Sequence, residues 1–193
     1  MEPEDLDRDP MLQLGEWLEA ARAAGEPMPE AMCVATSSRD GEPSARYVLL
    51  RGRDQGVVFF TDYGSAKAKD LEDNPRAAAV LRWQLPVHRQ VRLSGTVAKT
   101  TAEESDRYWS TRPAASRRSA VASYQSTVIE SRHDLEEAVA ALDDIVPARP
   151  ERWGGYRILP STFEFWEEGA DRLHDRLRYR REPDGWRVDR LSP

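Results

Sequence analysis

Basic side chains stand at positions where the sequence pattern predicts ordered structure. Near its C-terminus the chain reads DRLHDRLRYRR. With the two-residue period of a strand, one face of this segment carries Arg172, His174 and Arg176, followed by Arg178 and Arg180. An unpaired guanidinium beside buried strand sequence is costly, so we expect the first three to meet an anionic ligand. We interpret Arg178 and Arg180 as a solvated face.

A second group of cations lies in the first half of the chain. Arg46 and Arg51 flank an apolar strand centre, and Lys67 follows Ser65 at the start of a predicted helix. The N-terminus of a helix offers free backbone N–H groups and the positive end of the helix dipole, so a lysine and a serine there suit a phosphate.

A third group of donors is spaced four and four residues apart: Tyr108, Arg112 and Ser116. On one helix they would form a row, although Pro113 favours a helix that passes into a turn. If several of these cations converge, their natural partner is a small molecule with more than one phosphate. For any single exposed arginine, a solvent-facing role is the simpler interpretation.

Other kinds of chemistry have no pattern in the sequence. There is no glycine-rich phosphate loop and no G-x-S-x-G nucleophile motif. The three histidines are scattered, so we expect no metal site. The net charge of −6 argues against nucleic-acid binding. Without a signal peptide or a long apolar run, the chain is expected to be cytoplasmic and to contact no membrane.

The hydrophobic pattern predicts an α+β protein dominated by an antiparallel barrel or sandwich. Its length fits one domain over residues 1–193, with residues 1–8 as a flexible tail. Helices are predicted from Pro10 to before Gly25 and at Ser65–Glu72, Thr101–Thr111, Ala114–Ser123 and Ser131–Leu142. Strands are predicted at Ala31–Ser37, Ala45–Arg51, Val57–Thr61, Arg76–Trp83, Arg89–Lys99, Thr162–Glu168, Arg172–Arg180 and Trp186–Leu191.

An ordered set of short motifs resembles the pyridoxine/pyridoxamine 5′-phosphate oxidase family. The motifs include RYVLLR, FFTDYGSAKAKDLEDNP, YWSTRPAAS, YQS, WGGYRILP, FEFW and RLHDRLRY, and the resemblance extends from about Leu12 to Pro193. It implies an antiparallel split β-barrel of Greek-key type with flanking helices, a homodimer and FMN as cofactor. It also implies an oxidase that converts pyridoxine or pyridoxamine 5′-phosphate to pyridoxal 5′-phosphate while O2 is reduced to H2O2.

The resemblance also assigns residues to roles. It places the cofactor near Arg46, Tyr47, Val48, Leu49, Phe60, Thr61, Ser65, Lys67, Gln90, Gln125, Ser126, Trp166 and Arg176, some of them from the partner subunit. It places the substrate phosphate near Arg51, Tyr108, Arg112 and Ser116. Arg172 and His174 would flank the substrate ring and act as the catalytic residues, by positioning and electrostatics at the reacting carbon.

Some positions depart from the family pattern. Arg51 stands where lysine is usual, Ala66 where arginine is usual, and Glu167 where glutamine is usual. Phenazine-biosynthesis oxidases share the RLH motif and the barrel, and they are one alternative. A flavin- or haem-binding split-barrel protein without oxidase activity is another, but it would have no use for Tyr108, Arg112 and Ser116.

Overall fold

One antiparallel sheet of nine strands organises the protein. The computed structural model describes residues 1–193. The strands are β1 (Ala31–Ser37), β2 (Pro43–Leu49), β3 (Gly52–Arg53), β4 (Val57–Asp62), β5 (Arg76–Trp83), β6 (Arg89–Lys99), β7 (Trp153–Glu167), β8 (Asp175–Glu182) and β9 (Gly185–Arg190). They lie in the order β2-β1-β5-β6-β7-β4-β3, and β8 joins β7 to β9 off this path. The prediction of an α+β protein with an antiparallel barrel-type sheet is confirmed.

Strand β7 is longer than the sequence pattern predicts, and its length divides the sheet into two branches. Its first part, from Trp153 to Ile158, pairs with β4, and its last part, from Thr162 to Glu167, pairs with β8. Strand β6 pairs along almost the whole of its other edge. The register shifts between Ser94 and Gly95. Gly95 there faces Pro160, whose ring nitrogen has no hydrogen to donate to the ladder.

Five helices accompany the sheet: α1 (Pro10–Ala23), α2 (Ala66–Asp73), α3 (Ala102–Thr111), α4 (Ala114–Ala122) and α5 (Arg132–Ala140). Asp9 caps α1 by accepting a hydrogen bond from the Met11 amide at 2.9 Å. Thr101 and Glu104 form a capping box at the start of α3. The longest helix has 14 residues, and none is long and apolar enough to cross a membrane.

The core lies between α1 and the concave side of the sheet. Trp17 of α1 meets Phe165 of β7 edge-on, with 5.1 Å between ring centroids. Leu177 and Tyr179 of β8 point into the same core and are fully buried. Residues on the opposite faces of β6, β7 and β8 are therefore left on the outer side of the sheet.

The C-terminal strand begins later than its alternating pattern predicts. Asp171 and Arg172 have positive φ angles of 51° and 64°, in the left-handed region, so the chain turns there before β8 starts at Asp175. Arg172 and His174 are consequently turn residues, and the prediction of a single strand face from Arg172 onward is wrong. Arg176 keeps its predicted outward direction.

Residues 1–8, predicted as a flexible tail, contact the sheet and α1. The Tyr179 hydroxyl donates to the Asp7 carbonyl at 2.8 Å, and the Asp7 amide donates to Gln13 Oε1 at 2.7 Å. Arg190 donates to Glu2 Oε2 at 2.7 Å. Through Glu2 and Asp7 the segment is therefore tied to β9, β8 and α1.

Candidate functional site

A cavity of about 1000 Å³ opens between the end of β2, β4, the start of α2 and the α3–α4 corner. This is at the upper end of the ~300–1,000 Å³ range of small-molecule sites, so two ring systems fit. It brings together most of the predicted site residues. These are Arg46, Tyr47, Val48, Leu49, Arg51, Phe60, Thr61, Lys67, Tyr108, Arg112, Ser116, Gln125 and Ser126.

Lys67 forms a buried donor at one end of the cavity. Its ammonium donates to Gln125 Oε1 at 2.8 Å and to Thr61 Oγ1 at 3.1 Å, and it lies 3.4 Å from Ser65 Oγ. Burial, and then the nearby Arg46 cation, lower the pKa of Lys67 to about 8. None of these hydrogen-bond partners carries a charge, so the ammonium is free to attract an anion. Ser65, fully buried, is the residue before α2 and does not itself line the cavity.

Arg46 is held in the wall beside Lys67 by several short contacts. It donates to Thr36 Oγ1 at 2.7 Å and to Ser44 Oγ at 2.5 Å. Its only carboxylate neighbour is Asp70, at 3.8 Å. Asp70 accepts hydrogen bonds from the same two hydroxyls, at 2.5 Å from Thr36 Oγ1 and at 2.9 Å from Ser44 Oγ, so it holds Arg46 in place through them.

Arg112 stands at the other end of the cavity. Helix α3 ends at Thr111 because Pro113 follows, so Arg112 caps the helix and turns inward. Its Nη1 is buried and has no hydrogen-bond partner. The guanidinium lies 4.7 Å from the Trp153 ring, and burial lowers its pKa. A buried guanidinium nitrogen without a partner marks a place where an anionic ligand atom fits.

Tyr108 lies beside Arg112, and its ring stacks on Phe60 with 4.1 Å between centroids. Ser116 lines the same end from α4, and the exposed Arg51 lines it from the end of β2. The three donors spaced four and four therefore meet around one end of the cavity. They do so through a helix, a turn and a second helix, as Pro113 indicated.

The remaining predicted residues form a second group that does not line this cavity. Trp166 pairs with Gln90 on one side and with Arg176 on the other. The Trp166 ring lies 4.7 Å from the His174 ring, and the Gly169 amide donates to His174 Nδ1 at 3.3 Å. Arg172 precedes His174 in the exposed turn. The predicted site residues of one copy therefore lie in two separate groups.

The carboxylates of the second group are already paired. Glu164 is buried and accepts from Arg176 Nε at 2.9 Å and from Arg92 Nη1 at 3.3 Å. Glu167, which replaces the usual glutamine, accepts from Arg89 Nε at 2.7 Å. The negative charge of Glu167 is thus held away from the outer surface by an arginine that the sequence analysis did not single out.

The cavity fits FMN. A phosphate would find Lys67, Arg46 and the first amides of α2 at one end. Two cations, Arg51 and Arg112, remain at the other end for a second anion. The second end therefore contains a guanidinium nitrogen without a partner, on Arg112, and the first end contains the Lys67 ammonium, whose partners are all neutral.

Sequence reasoning missed two residues of the cavity region, Arg152 and Asp62. Asp62 lines the cavity and pairs with Arg152, which comes just before β7. Because the two residues are 90 positions apart in the chain, no local sequence pattern predicts that they pair. The only available signal was that Arg152 directly precedes the WGGY motif.

Comparisons with known proteins agree with this geometry. Residues 18–145 match the family model described as pyridoxamine 5′-phosphate oxidase, and residues 153–193 match the pyridoxine 5′-phosphate oxidase C-terminal dimerisation region. Two relatives are named pyridoxine/pyridoxamine 5′-phosphate oxidase. The one from Burkholderia multivorans is 50% identical over 98% of this chain and 91% of that protein. The one from Rubrobacter xylanophilus is 48% identical over 97% and 88%.

Solved structures give the same fold. PhzG from Burkholderia lata, in complex with tetrahydrophenazine-1-carboxylic acid, is 32% identical with a TM-score of 0.94, covering 100% of this chain and 98% of that one. A pyridoxamine 5′-phosphate oxidase-related FMN-binding protein from Nostoc punctiforme is 19% identical with a TM-score of 0.75, covering 93% and 95%. The family match supports FMN, the cofactor that the resemblance implied. Because both family models and relatives of about half-identical sequence match nearly all of its length, the chain belongs to the pyridoxine/pyridoxamine 5′-phosphate oxidase family.

Proposed function

We propose that the protein is an FMN-dependent oxidase that converts pyridoxine 5′-phosphate or pyridoxamine 5′-phosphate to pyridoxal 5′-phosphate, with O2 reduced to H2O2. The observation that carries the proposal is the pair of cationic ends in one cavity. Lys67 and Arg46 stand at one end, and Arg51 and Arg112 at the other. A phosphorylated cofactor and a phosphorylated substrate together need this arrangement, whereas a carrier of FMN alone needs only the first end.

The residues of the first end would hold the FMN phosphate. Lys67 and Arg46 supply charge, Ser126 and Gln125 line the wall, and Thr61 supplies a hydroxyl. Each charge-assisted hydrogen bond contributes about 1.5–3 kcal/mol, so even without the arginine usual at position 66 these cations support tight binding.

At the second end, Arg112, Tyr108 and Ser116 would hold the substrate phosphate, together with Arg51. The planar fork of Arg51 binds two phosphate oxygens at once, where the usual lysine presents a point charge. Stacked aromatic rings behind this end, from Phe60 through Trp153, exclude water from the bound substrate.

When bound, FMN would accept a hydride from the 4′ carbon of the substrate and would be reoxidised by O2 with release of H2O2, and with pyridoxamine 5′-phosphate hydrolysis of the resulting imine would release ammonia. The chain's own contribution is orientation and charge. We propose that Arg172 and His174 of a second copy enter the cavity beside the substrate ring. The match of residues 153–193 to a dimerisation region supports this, because it includes both residues. Trp166 and Arg176 belong to the same region, and with Gln90 they would complete the flavin pocket.

A second candidate is oxidation of a phenazine precursor, favoured by the likeness to PhzG. The ligand of PhzG, tetrahydrophenazine-1-carboxylic acid, carries a carboxylate and no phosphate. The two cationic residues at the substrate end, and the higher identity to the pyridoxine/pyridoxamine 5′-phosphate oxidases, favour the phosphorylated substrate.

Anaerobic mixing of the holoenzyme with pyridoxamine 5′-phosphate tests the proposal. We expect the flavin absorbance to bleach, and to return on admission of air with release of H2O2. Bleaching with tetrahydrophenazine-1-carboxylic acid but not with pyridoxamine 5′-phosphate would favour the second candidate. A yellow protein that neither substrate bleaches would instead be a flavin carrier.

A further inference from the structure

Arg152 connects the start of β7 to the segment that follows α4. Its Nη2 donates to the Val121 carbonyl at 2.7 Å and to the Ala120 carbonyl at 3.2 Å. Its Nη1 donates to the Ser123 carbonyl at 3.2 Å and also to Asp62 at the end of β4. One guanidinium therefore joins three elements that are distant in sequence.

The chemistry of these contacts is specific to arginine. The last carbonyls of a helix lack intrahelical partners and carry partial negative charge, which a cation satisfies. The guanidinium also lies 4.2 Å from the centroid of the Tyr124 ring. A flat fork can donate to several carbonyls while stacking on an aromatic ring, whereas an ammonium cannot do both.

The segment held by Arg152 forms one wall of the cofactor-phosphate end. Gln125 Oε1 accepts from Thr61 Oγ1 at 2.6 Å and from Lys67 Nζ at 2.8 Å. Ser126 has a φ angle of 71°, in the left-handed region that a non-glycine residue enters only at a cost. In that conformation its hydroxyl accepts from the Ala66 amide at 3.2 Å. This strained wall needs an anchor on its N-terminal side, and Arg152 provides it.

We propose that Arg152 is a positioning residue for the cofactor-phosphate site. It fixes residues 120–126, so that Gln125 and Ser126 stand against Lys67 and the first turn of α2 before FMN arrives. Arg152 does not line the cavity, so its effect passes through these residues. Since α4 also carries Ser116, the same anchor places the substrate-phosphate donor. This inference rests on the proposed function for the identity of the ligands.

The test compares Arg152→Met with Arg149→Met. Arg149 comes from the same loop and donates to Asp106 Oδ1 at 2.6 Å and to the Trp153 carbonyl at 2.8 Å, but these bonds lead to α3 and to the start of β7, not to residues 120–126. FMN dissociation is followed by the rise in flavin fluorescence when each holoenzyme is diluted. We expect the dissociation constant to rise at least about tenfold in Arg152→Met and to stay within about twofold of wild type in Arg149→Met.

Kinetics add a signature that general destabilisation would not give. With FMN saturating, Arg152→Met should raise KM for the phosphorylated substrate while kcat stays within about threefold. Arg152→Lys keeps the charge opposite Asp62 but loses the fork, so it should restore part of the FMN affinity.

Two results would overturn the inference. One is an FMN dissociation constant for Arg152→Met within about twofold of wild type. The other is an equal loss of affinity in Arg149→Met. If Arg152→Met does not fold, Arg152→Lys decides, because unchanged FMN affinity in that variant contradicts a role for the fork. FMN release requires no turnover, so failure of the proposed oxidase reaction would leave this test intact.

Discussion

Replacing Arg112 by methionine distinguishes two effects of this residue. One is its effect on the stability of the free protein, and the other is its contribution to catalysis with the phosphorylated substrate. Methionine keeps an unbranched side chain against the Trp153 and Trp109 rings and removes only the guanidinium. In the free protein, Arg112 Nη1 is buried without a partner. The proposed substrate phosphate would be that partner.

The expected change in stability is small because two terms oppose one another. A buried donor without a partner costs about 1–3 kcal/mol, and cation–π contact with the two indoles returns about 0.5–2 kcal/mol. The difference lies between a net loss of about 1 kcal/mol and a net gain of about 2.5 kcal/mol of stability, and each 1 kcal/mol moves Tm by about 2–4 °C for a chain of this length. We expect Tm to be unchanged or slightly raised.

The expected change in catalysis is large. Loss of one charge-assisted hydrogen bond of about 1.5–3 kcal/mol lowers kcat/KM for the phosphorylated substrate by about 10- to 150-fold, at 1.36 kcal/mol for each factor of ten. The assay is H2O2 release from pyridoxine 5′-phosphate and, in parallel, from unphosphorylated pyridoxine. The penalty should vanish for pyridoxine, which has no phosphate to lose.

Arg107→Met provides the matched control. Arg107 lies on the same helix with an exposed side chain and does not line the cavity, so its variant should match wild type on both substrates. The reasoning fails if Arg112→Met retains kcat/KM within about twofold of wild type. It fails equally if the variant loses the same factor on both substrates, since Arg112 would then not contact the phosphate.

Two further predictions concern charge and packing. The pKa of Lys67 in the free protein is about 8, and the FMN phosphate is a dianion above a pKa of about 6. FMN affinity should therefore fall as pH rises through 8, by up to about tenfold between pH 7 and 9, with proton uptake on binding. Fluorescence titration measures this, and a Lys67→Met profile as steep as that of wild type would contradict it. Phe165 is fully buried between Trp17 and Tyr179, so Phe165→Ala should lower the free energy of unfolding by about 3–5 kcal/mol in urea denaturation. A loss below about 1 kcal/mol would mean that α1 does not depend on this contact.

Sequence patterns predicted the strands whose two faces differ clearly. The bounds of β5 and β6 agree with the prediction, because apolar and polar residues alternate along them and a turn or loop borders each end. The first half of β7 was missed because Trp153 is followed by two glycines, which suggested a loop. Gly154 is needed there because a Cβ would lie 2.1 Å from the Tyr63 hydroxyl.

Some residues of the candidate site could be predicted because a charged side chain borders an apolar strand in the sequence. Arg46 stood out because a cation beside buried strand sequence needs a partner, Lys67 because it stands at the start of a predicted helix, and both line the cavity. Arg152 and Asp62 did not stand out, because an ion pair between distant segments produces no regular spacing in the sequence. The alternation around Arg172 was misleading, because positive φ at Asp171 and Arg172 makes a turn where the pattern predicts a strand.

The division of the site residues into two groups could not be obtained from one sequence. Arg112 lines the cavity and His174 lies in the second group, so the two do not meet within one copy. Periodicity describes neighbours within an element, whereas the proposed meeting of these two residues would depend on symmetry between two copies.

A mixed dimer tests most directly the claim that the site is assembled from two copies. Arg112→Met and His174→Ala each remove one side chain that the proposal assigns to the active site. Each variant should be nearly inactive alone. If one copy supplies Arg112 and its partner His174, each mixed dimer contains one intact site. Equal co-expression should then restore about a quarter of wild-type activity, because half of the dimers are mixed and each has one working site of two. Activity no higher than that of the separate variants would contradict a shared site.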